Sequence, residues 1–227
     1  MKKYILAIVV IFSGLAGWCQ QLGQVKFSST AKLENFTFIT DQGVLIRISP
    51  EGKVLEWGME EMSIRSSNYY APKLQPFMGR IDYYGAESDS VINGKVKSIG
   101  TCWITYYNAY ETENAGKIKT IGRNALDYYS RHENEVLRGK LRLAGSQVIE
   151  YYPSYEDEAL RGKLKAIGST QVIYHSSFDE KFLKGKLKSI GSHNFTYYGI
   201  HERKQLWGVM KSGTNRQLIN GITYILR

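Results

Sequence analysis

Apolar and polar positions alternate along most of this chain, and from residue 94 onward the alternation recurs on a fixed period. A Gly-Lys-apolar-basic-x-x-Gly segment begins at Gly94, Gly116, Gly139, Gly162 and Gly185, reading GKVKSIG, GKIKTIG, GKLRLAG, GKLKAIG and GKLKSIG. A decayed sixth copy, GVMKSGT, begins at Gly208, and the steps between copies are 22, 23, 23, 23 and 23 residues. Twelve residues after each opening glycine stands an aromatic pair: Tyr106-Tyr107, Tyr128-Tyr129, Tyr151-Tyr152, the variant Tyr174-His175, and Tyr197-Tyr198. Within the unit at Gly162, Leu160 to Ala166 and Gln171 to His175 both alternate with period two, as half-buried strands do. Gly168-Ser169-Thr170 lies between them and supplies the backbone freedom for a reversal, so the unit reads as a β-hairpin with a loop of about three residues.

A three-residue loop fixes a register. It pairs Leu164 with Tyr174 and Ala166 with Val172 on one face, and Lys163 with His175 and Lys165 with Ile173 on the other. The same geometry sets Lys95 opposite Tyr107, Lys117 opposite Tyr129, Lys140 opposite Tyr152 and Lys186 opposite Tyr198. One face is then aliphatic with tyrosine, and the other is lysine with tyrosine. Ile99, Ile121, Ile167 and Ile190 fall on the lysine face in this register, a poor fit that a bulge or a different loop length would cure.

The hairpins can join as an antiparallel meander or stack as rungs of a parallel β-solenoid. In a solenoid, Lys95, Lys117, Lys140, Lys163 and Lys186 would lie about 4.8 Å apart, one strand spacing, and like charges directly opposed are destabilising. A meander puts a tyrosine-bearing strand between them and doubles the separation, so the expected fold is an all-β antiparallel meander of about six hairpin repeats forming a twisted or curved sheet. Acids recur in the linking stretches, at Glu111 and Glu113, Glu133 and Glu135, Glu156 to Glu158, Asp179 and Glu180, and Glu202. They are expected to neutralise lysines of the adjacent strand, since no calcium-loop pattern accompanies them.

The amino-terminal half is less regular. Phe36 to Thr40, Val44 to Ile48 and Lys53 to Trp57, separated by Asp41-Gln42-Gly43 and Pro50-Glu51-Gly52, predict a three-stranded antiparallel start. Residues 59–93 carry further pairs, Tyr69-Tyr70 and Tyr83-Tyr84, in imperfect spacing. An irregular cap that shields the first repeat fits this pattern. The expected organisation is a leader at 1–19, an irregular β segment at 20–93, and the hairpin array at 94–227 continuous with it as one domain.

Lys2 and Lys3 precede an apolar run from Tyr4 to Trp18, which predicts a cleaved signal peptide and an exported protein of the periplasm, cell surface or medium. Cleavage is expected after Cys19. The rival reading is a lipid anchor on Cys19, which Trp18 disfavours because the residue before a lipidated cysteine is normally small; membrane attachment is expected only in that case. Without Cys19 the mature chain keeps Cys102 alone, so no internal disulfide is expected.

Composition narrows the classes. The chain has 227 residues, 43% hydrophobic and 22% charged, which fits neither disorder nor a polytopic membrane protein. It holds 17 tyrosines and 22 glycines against 4 prolines, a profile that favours strands. The formal charge of +9 suits an anionic partner and equally suits a solubility role, and export argues against nucleic acid as the partner.

Glycine- and tyrosine-rich hairpin units of this length resemble MORN-type repeats and the related YwqK-like repeats, and the GKLKSIG wording resembles exported repeat proteins of Bacteroidetes-type bacteria. The likeness covers residues 79–213. The Gly-x-Gly spacing and tryptophan typical of MORN units are absent, so lipid binding is not carried across. The resemblance implies a hairpin sheet with a binding or scaffolding role.

No nucleophile elbow, phosphate loop, dinucleotide fingerprint, zincin helix or Cys-x-x-Cys pair occurs. A repeat spreads like groups along a line, whereas catalysis needs unlike groups at one point. No enzyme activity, cofactor or metal is therefore expected; His132, His175, His193 and His201 show no ligand pattern, and Cys102 reads as a small buried hydrophobe. The candidate ligand-binding face is the ladder of Lys95, Lys117, Lys140, Lys163 and Lys186 with Tyr107, Tyr129, Tyr152, His175 and Tyr198. Ammonium groups beside aromatic faces can hold the acidic groups of an anionic envelope glycan while the rings stack on sugars. The alternative is a scaffold for another envelope protein, offering the sheet face or the last strand, Gly221 to Leu226, as an edge.

Overall fold

The computed structural model describes residues 21–28, 31–60 and 74–226. The leader, Cys19 and the pair Tyr69-Tyr70 lie outside the described residues. Apart from one 3-10 turn at Lys204–Leu206, the regular elements of the described residues are all strands. In chain order the strands are β1 (Gln21–Phe27), β2 (Leu33–Ile39), β3 (Leu45–Ile48), β4 (Val54–Gly58) and β5 (Ile81–Tyr83). The repeats follow as β6 (Val96–Ile99), β7 (Cys102–Tyr106), β8 (Ile118–Ile121), β9 (Asn124–Tyr128), β10 (Leu141–Ala144) and β11 (Gln147–Tyr151). Then come β12 (Leu164–Ile167), β13 (Thr170–Tyr174), β14 (Leu187–Ile190), β15 (His193–Asn194), β16 (Thr196–Tyr197), β17 (Met210–Ser212), β18 (Arg216–Ile219) and β19 (Ile222–Leu226).

Strands β5 to β15 pair strictly with their sequence neighbours in an 11-stranded antiparallel sheet, the expected meander. β16 and β17, which include the decayed sixth copy, form a separate pair. Tyr83-Tyr84 belongs to the array as well, because β5 is its edge strand and Tyr84 donates to the Ile104 carbonyl at 3.0 Å.

Two details of the hairpin differ from the expected register. The connection is two residues, not three: Ile167 pairs with Thr170 and Ala166 with Gln171 across Gly168-Ser169. Gly168 has φ +54, so glycine occupies the first central position of a type II′ turn, whose twist matches the strands. The second detail is a bulge. On the other side of β12, Glu150 pairs with Ala166 but Tyr151 pairs with Leu164, which leaves Lys165 as the extra residue. Together these turn both Leu164 and Ile167 inward, where they are 0% and 1% exposed. The same holds for Ile99, Ile121 and Ile190, all buried. The expected pairing of Lys163 with His175 is thereby shifted by one residue, and Lys163 lies instead over Tyr174.

The amino-terminal strands do not stand at the end of the array. They form a six-stranded sheet of order β18-β19-β1-β2-β3-β4, in which β19 runs parallel to β1. The carboxy-terminal hairpin thus leaves the repeat sheet and closes against the first strand, through a type I′ turn at Asn220 (φ +49) and Gly221 (φ +80). This corrects the reading of Gly221 to Leu226 as a free edge: β19 is flanked on both sides, and β18 and β4 are the edges of its sheet.

The six-stranded sheet lies against the inner face of the repeat sheet, and one buried cluster runs through both, with Val25, Phe36, Phe38, Ile46, Ile48 and Tyr224 meeting Ile104, Ile121, Leu126, Leu141, Ile149 and Val172. Burying each such side chain stabilises by about 1.5–3 kcal/mol. The β3–β4 turn is inserted into the array. Pro50 and Gly52 carbonyls accept the Leu141 and Ile118 amides at 2.7 and 3.2 Å. A Cβ on Gly52 would meet the Tyr128 hydroxyl oxygen at 2.0 Å, so only glycine fits there.

Candidate functional site

Each repeat carries two basic residues two positions apart, and the fold sends them to different places. The first column is Lys95, Lys117, Lys140, Lys163 and Lys186. Every one is half-buried, with its ammonium over the first tyrosine of its own unit: Tyr106, Tyr128, Tyr151, Tyr174 and Tyr197, at 4.7–5.3 Å from the ring centre. The ammonium also reaches the next unit. Lys117 and Lys140 donate to the Gly139 and Gly162 carbonyls at 3.1 and 2.7 Å, and Lys95 and Lys186 donate to those of Gly116 and Gly208. Burial holds all five ammonium groups below the usual lysine range.

This contact explains the opening glycine of the motif. Gly139 and Gly162 have φ +72 and +71, and a Cβ on either would stand 3.0 Å from the preceding unit's Nζ. Glycine is required both for the backbone and for the approach of the ammonium. The first column is therefore a staple between consecutive repeats, which corrects its assignment to an open ligand face.

The two tyrosines of each pair also separate. The first is buried in Tyr106, Tyr128, Tyr151 and Tyr174 and half-buried in Tyr197, and burial raises the phenol above the usual range; that of Tyr197 is pushed up to about 12. The second is half-buried and donates to a carbonyl of the next hairpin: Tyr107 to Leu126 at 2.9 Å, Tyr129 to Ile149 at 2.9 Å and Tyr152 to Val172 at 3.1 Å. Its ring meets the next unit's first tyrosine edge to face, at 5.9–6.1 Å along the ladder. His175 keeps the ring contact, to Tyr197 at 5.8 Å, and its Nδ1 lies 3.4 Å from Asp179. Tyr198 carries the Lys211 ammonium on its ring.

The second column is Lys97, Lys119, Arg142, Lys165, Lys188 and Lys211. Each is the extra residue of a bulge: the paired positions jump from Ser98 to Val96, Thr120 to Ile118, Leu143 to Leu141, Ala166 to Leu164, Ser189 to Leu187 and Ser212 to Met210. A bulge re-aims a side chain. Here six successive bulges aim six cations to the outer face, opposite the core, where Lys119, Arg142, Lys188 and Lys211 are exposed. Lys97, Lys119, Lys165 and Lys211 lie over the second tyrosines Tyr84, Tyr107, Tyr152 and Tyr198 at 5.1–5.8 Å. The Glu111 and Glu202 carboxylates, 2.8 and 2.9 Å away, raise the Lys119 and Lys211 ammonium groups, and Arg142 pairs with Asp127. Trp103, Val148 and Ile173 are also exposed on this face.

The loop acids, with Asn134 in an equivalent place, have a second role beside the expected one. Asp89 accepts the Ala109 amide at 2.8 Å, Asn134 the Ser154 amide at 3.0 Å and Asp157 the Ser177 amide at 3.0 Å, while Glu113 accepts that of Arg131. They tie each loop to the next. Glu111 and Glu202 pair with Lys119 and Lys211 at the start of the following unit, as expected, and Glu158 pairs with Lys184 at 3.4 Å.

A third column escapes the strand pattern because it lies in the loops. Tyr110, His132, Tyr155, Phe178 and His201 each stand three residues after the second aromatic of the pair, and all are exposed, with Tyr110, Tyr155 and Phe178 at 92%, 83% and 95%. The signal was present in the sequence as an aromatic or imidazole at constant offset. Cys102 is buried, and burial pushes its thiol up to about 11. Among the described residues no three His, Cys, Asp or Glu side chains gather to hold a metal ion. A shallow cleft between the sheets, lined by Gln21, Asn124, Ser146, Gln147 and Asn220, has no titratable side chain in its wall. Among the described residues no helix is long and apolar enough to cross a membrane.

Comparison with protein-family models, curated proteins and solved structures finds no match to this chain.

Proposed function

We propose that this protein is an exported, non-enzymatic binding module that holds an anionic glycan of the cell envelope along the outer face of its repeat sheet. The observation that carries the reading is the run of six bulges. A bulge interrupts ladder pairing, and here five in the repeat sheet and a sixth in the β16–β17 pair each deliver a cation at an interval of 22 or 23 residues. The second tyrosines Tyr84 and Tyr152 hold the Lys97 and Lys165 ammonium groups without neutralising them, whereas Lys119, Arg142 and Lys211 share their charge with carboxylates. Repetition in a line suits a polymer that carries its own acidic groups in a line. Export rests on the amino-terminal Lys2-Lys3 and the apolar run that follows.

The test is co-sedimentation of the full mature chain with purified peptidoglycan sacculi at increasing salt. Binding is expected to fall steeply as salt screens the exposed cations. The variant K165Q/K188Q should keep the wild-type melting temperature and lose several-fold in bound fraction at low salt. Binding that ignores salt, or that the double variant leaves unchanged, would overturn the assignment.

A further inference from the structure

The loop column is built to a single plan. Residues 108–111, 130–133, 153–156, 176–179 and 199–202 each form a turn closed by an amide-to-carbonyl bond of 3.1–3.3 Å, from Glu111 to Asn108, Glu133 to Ser130, Glu156 to Pro153, Asp179 to Ser176 and Glu202 to Gly199. The third residue of every turn is Tyr110, His132, Tyr155, Phe178 or His201. The second residue is locked in four of the five, since Ala109, Arg131, Ser154 and Ser177 give their amides to the preceding loop. Side chains two positions earlier also hold three of the ring-bearing residues by their amides: Asn108 that of Tyr110 at 3.1 Å, Ser130 that of His132 at 3.2 Å and Ser176 that of Phe178 at 3.3 Å. The rings are therefore carried on fixed backbone while pointing into water.

Exposure of three large rings at more than four-fifths of their surface forgoes burial that the neighbouring tyrosines obtain. Successive rings are two strands apart, about 10 Å. In a β-1,4-linked polysaccharide each sugar is turned over relative to the last, so one face recurs every second ring, at close to that same separation. Pyranose rings present flat C–H faces edged by hydroxyls. Tyrosine and histidine offer a ring face with a polar rim, and four of the five positions are of that kind. A bilayer interior would instead favour wholly apolar side chains, of which the column has one, Phe178.

From this geometry we infer that Tyr110, His132, Tyr155, Phe178 and His201 form a stacking ladder for a β-1,4-linked polysaccharide, one disaccharide to each repeat. The inference rests on the reading of the protein as a glycan-binding module and names the sugar backbone it would take. The charge column acts on acidic substituents, whereas the ladder acts on the uncharged chain itself.

The experiment is calorimetric titration of the full mature chain with neutral β-1,4-linked N-acetylglucosamine oligomers of two, four and six rings, with α-linked dextran oligomers and neutral phospholipid vesicles as comparisons. Affinity for the β-linked series should rise at each added pair of rings and change little with salt. The variant Y110A/Y155A/F178A should melt with the wild type, because these side chains touch water, and should weaken hexamer binding at least tenfold. Equal binding by that variant, equal affinity for dextran, no rise with length, or preference for vesicles would overturn the ladder. Its failure is separable from failure of the sheet-face reading. Salt-sensitive binding of sacculi with no binding of neutral hexamer removes the ladder alone; hexamer binding without salt-sensitive binding of sacculi removes the sheet face alone.

Discussion

Lys163 and Lys165 sit two positions apart in one unit, and an unbroken strand would put both on the same face. They do opposite things. Lys163 is half-buried over Tyr174, against the next repeat, while Lys165 rides the bulge on the outer face over Tyr152. The same division holds in every unit from Lys95 and Lys97 onward. What separates the columns is one extra residue per strand. Charge and residue type alone do not decide whether a repeated lysine serves the fold or the surface; the register does.

The largest expected effect breaks this comparison directly. Lys140→Ala removes a charge-assisted bond to the Gly162 carbonyl at 2.7 Å and leaves that carbonyl short of a donor. Bonds of this kind contribute about 1.5–3 kcal/mol, so equilibrium urea denaturation should show a loss in that range. Lys165→Ala, on the outer face, should stay within about 0.5 kcal/mol of wild type. Similar losses for both would mean that the columns are equivalent.

A smaller effect sharpens the tyrosine half of the comparison. Four second-position tyrosines donate to a carbonyl of the next hairpin, and His175 interrupts the series. His175→Tyr should restore the missing bond and stabilise the chain by roughly 0.5–1.5 kcal/mol in the same assay, with Tyr152→Phe losing a similar amount. Destabilisation by His175→Tyr would show that the imidazole, with Asp179 beside it, is adapted to its place rather than a lapse in the ladder.

How much of this the sequence disclosed follows from the period of the signal. A repeat of 23 residues with aromatic pairs at fixed offset leads to the meander directly, because antiparallel neighbours are the arrangement that spares its lysines from direct opposition. The bulges were hidden, since an inserted residue leaves the repeat length unchanged when every unit has one. Their trace was the misplaced Ile99, Ile121, Ile167 and Ile190. The pairing of β19 with β1 was illegible for another reason: it joins residues some two hundred positions apart, and nothing in either strand's own pattern names its partner. The loop column was legible by offset but carries no strand alternation, so a search for period two passes over it.

The smallest effect asks whether the loop acids serve the fold or neutralise the outer cations. Hydrogen bonds from loop amides and hydroxyls hold the Asp89 and Asp157 carboxyls below the usual value of 3.8. The backbone amide of Ala109 gives the leading contribution at Asp89, and the Ser177 hydroxyl does so at Asp157. A carboxyl whose folded value is depressed contributes stability that is complete above its unfolded value and is lost as pH falls through the lower, folded one. The amide protons of Ala109 and Ser177 should therefore shift in an NMR titration with midpoints below 3.8. Ser154 provides the internal control, because its amide bonds to Asn134, which occupies the equivalent loop position and does not titrate. Midpoints at or above the ordinary value, or a matching shift at Ser154, would show that these loop bonds do not persist in solution.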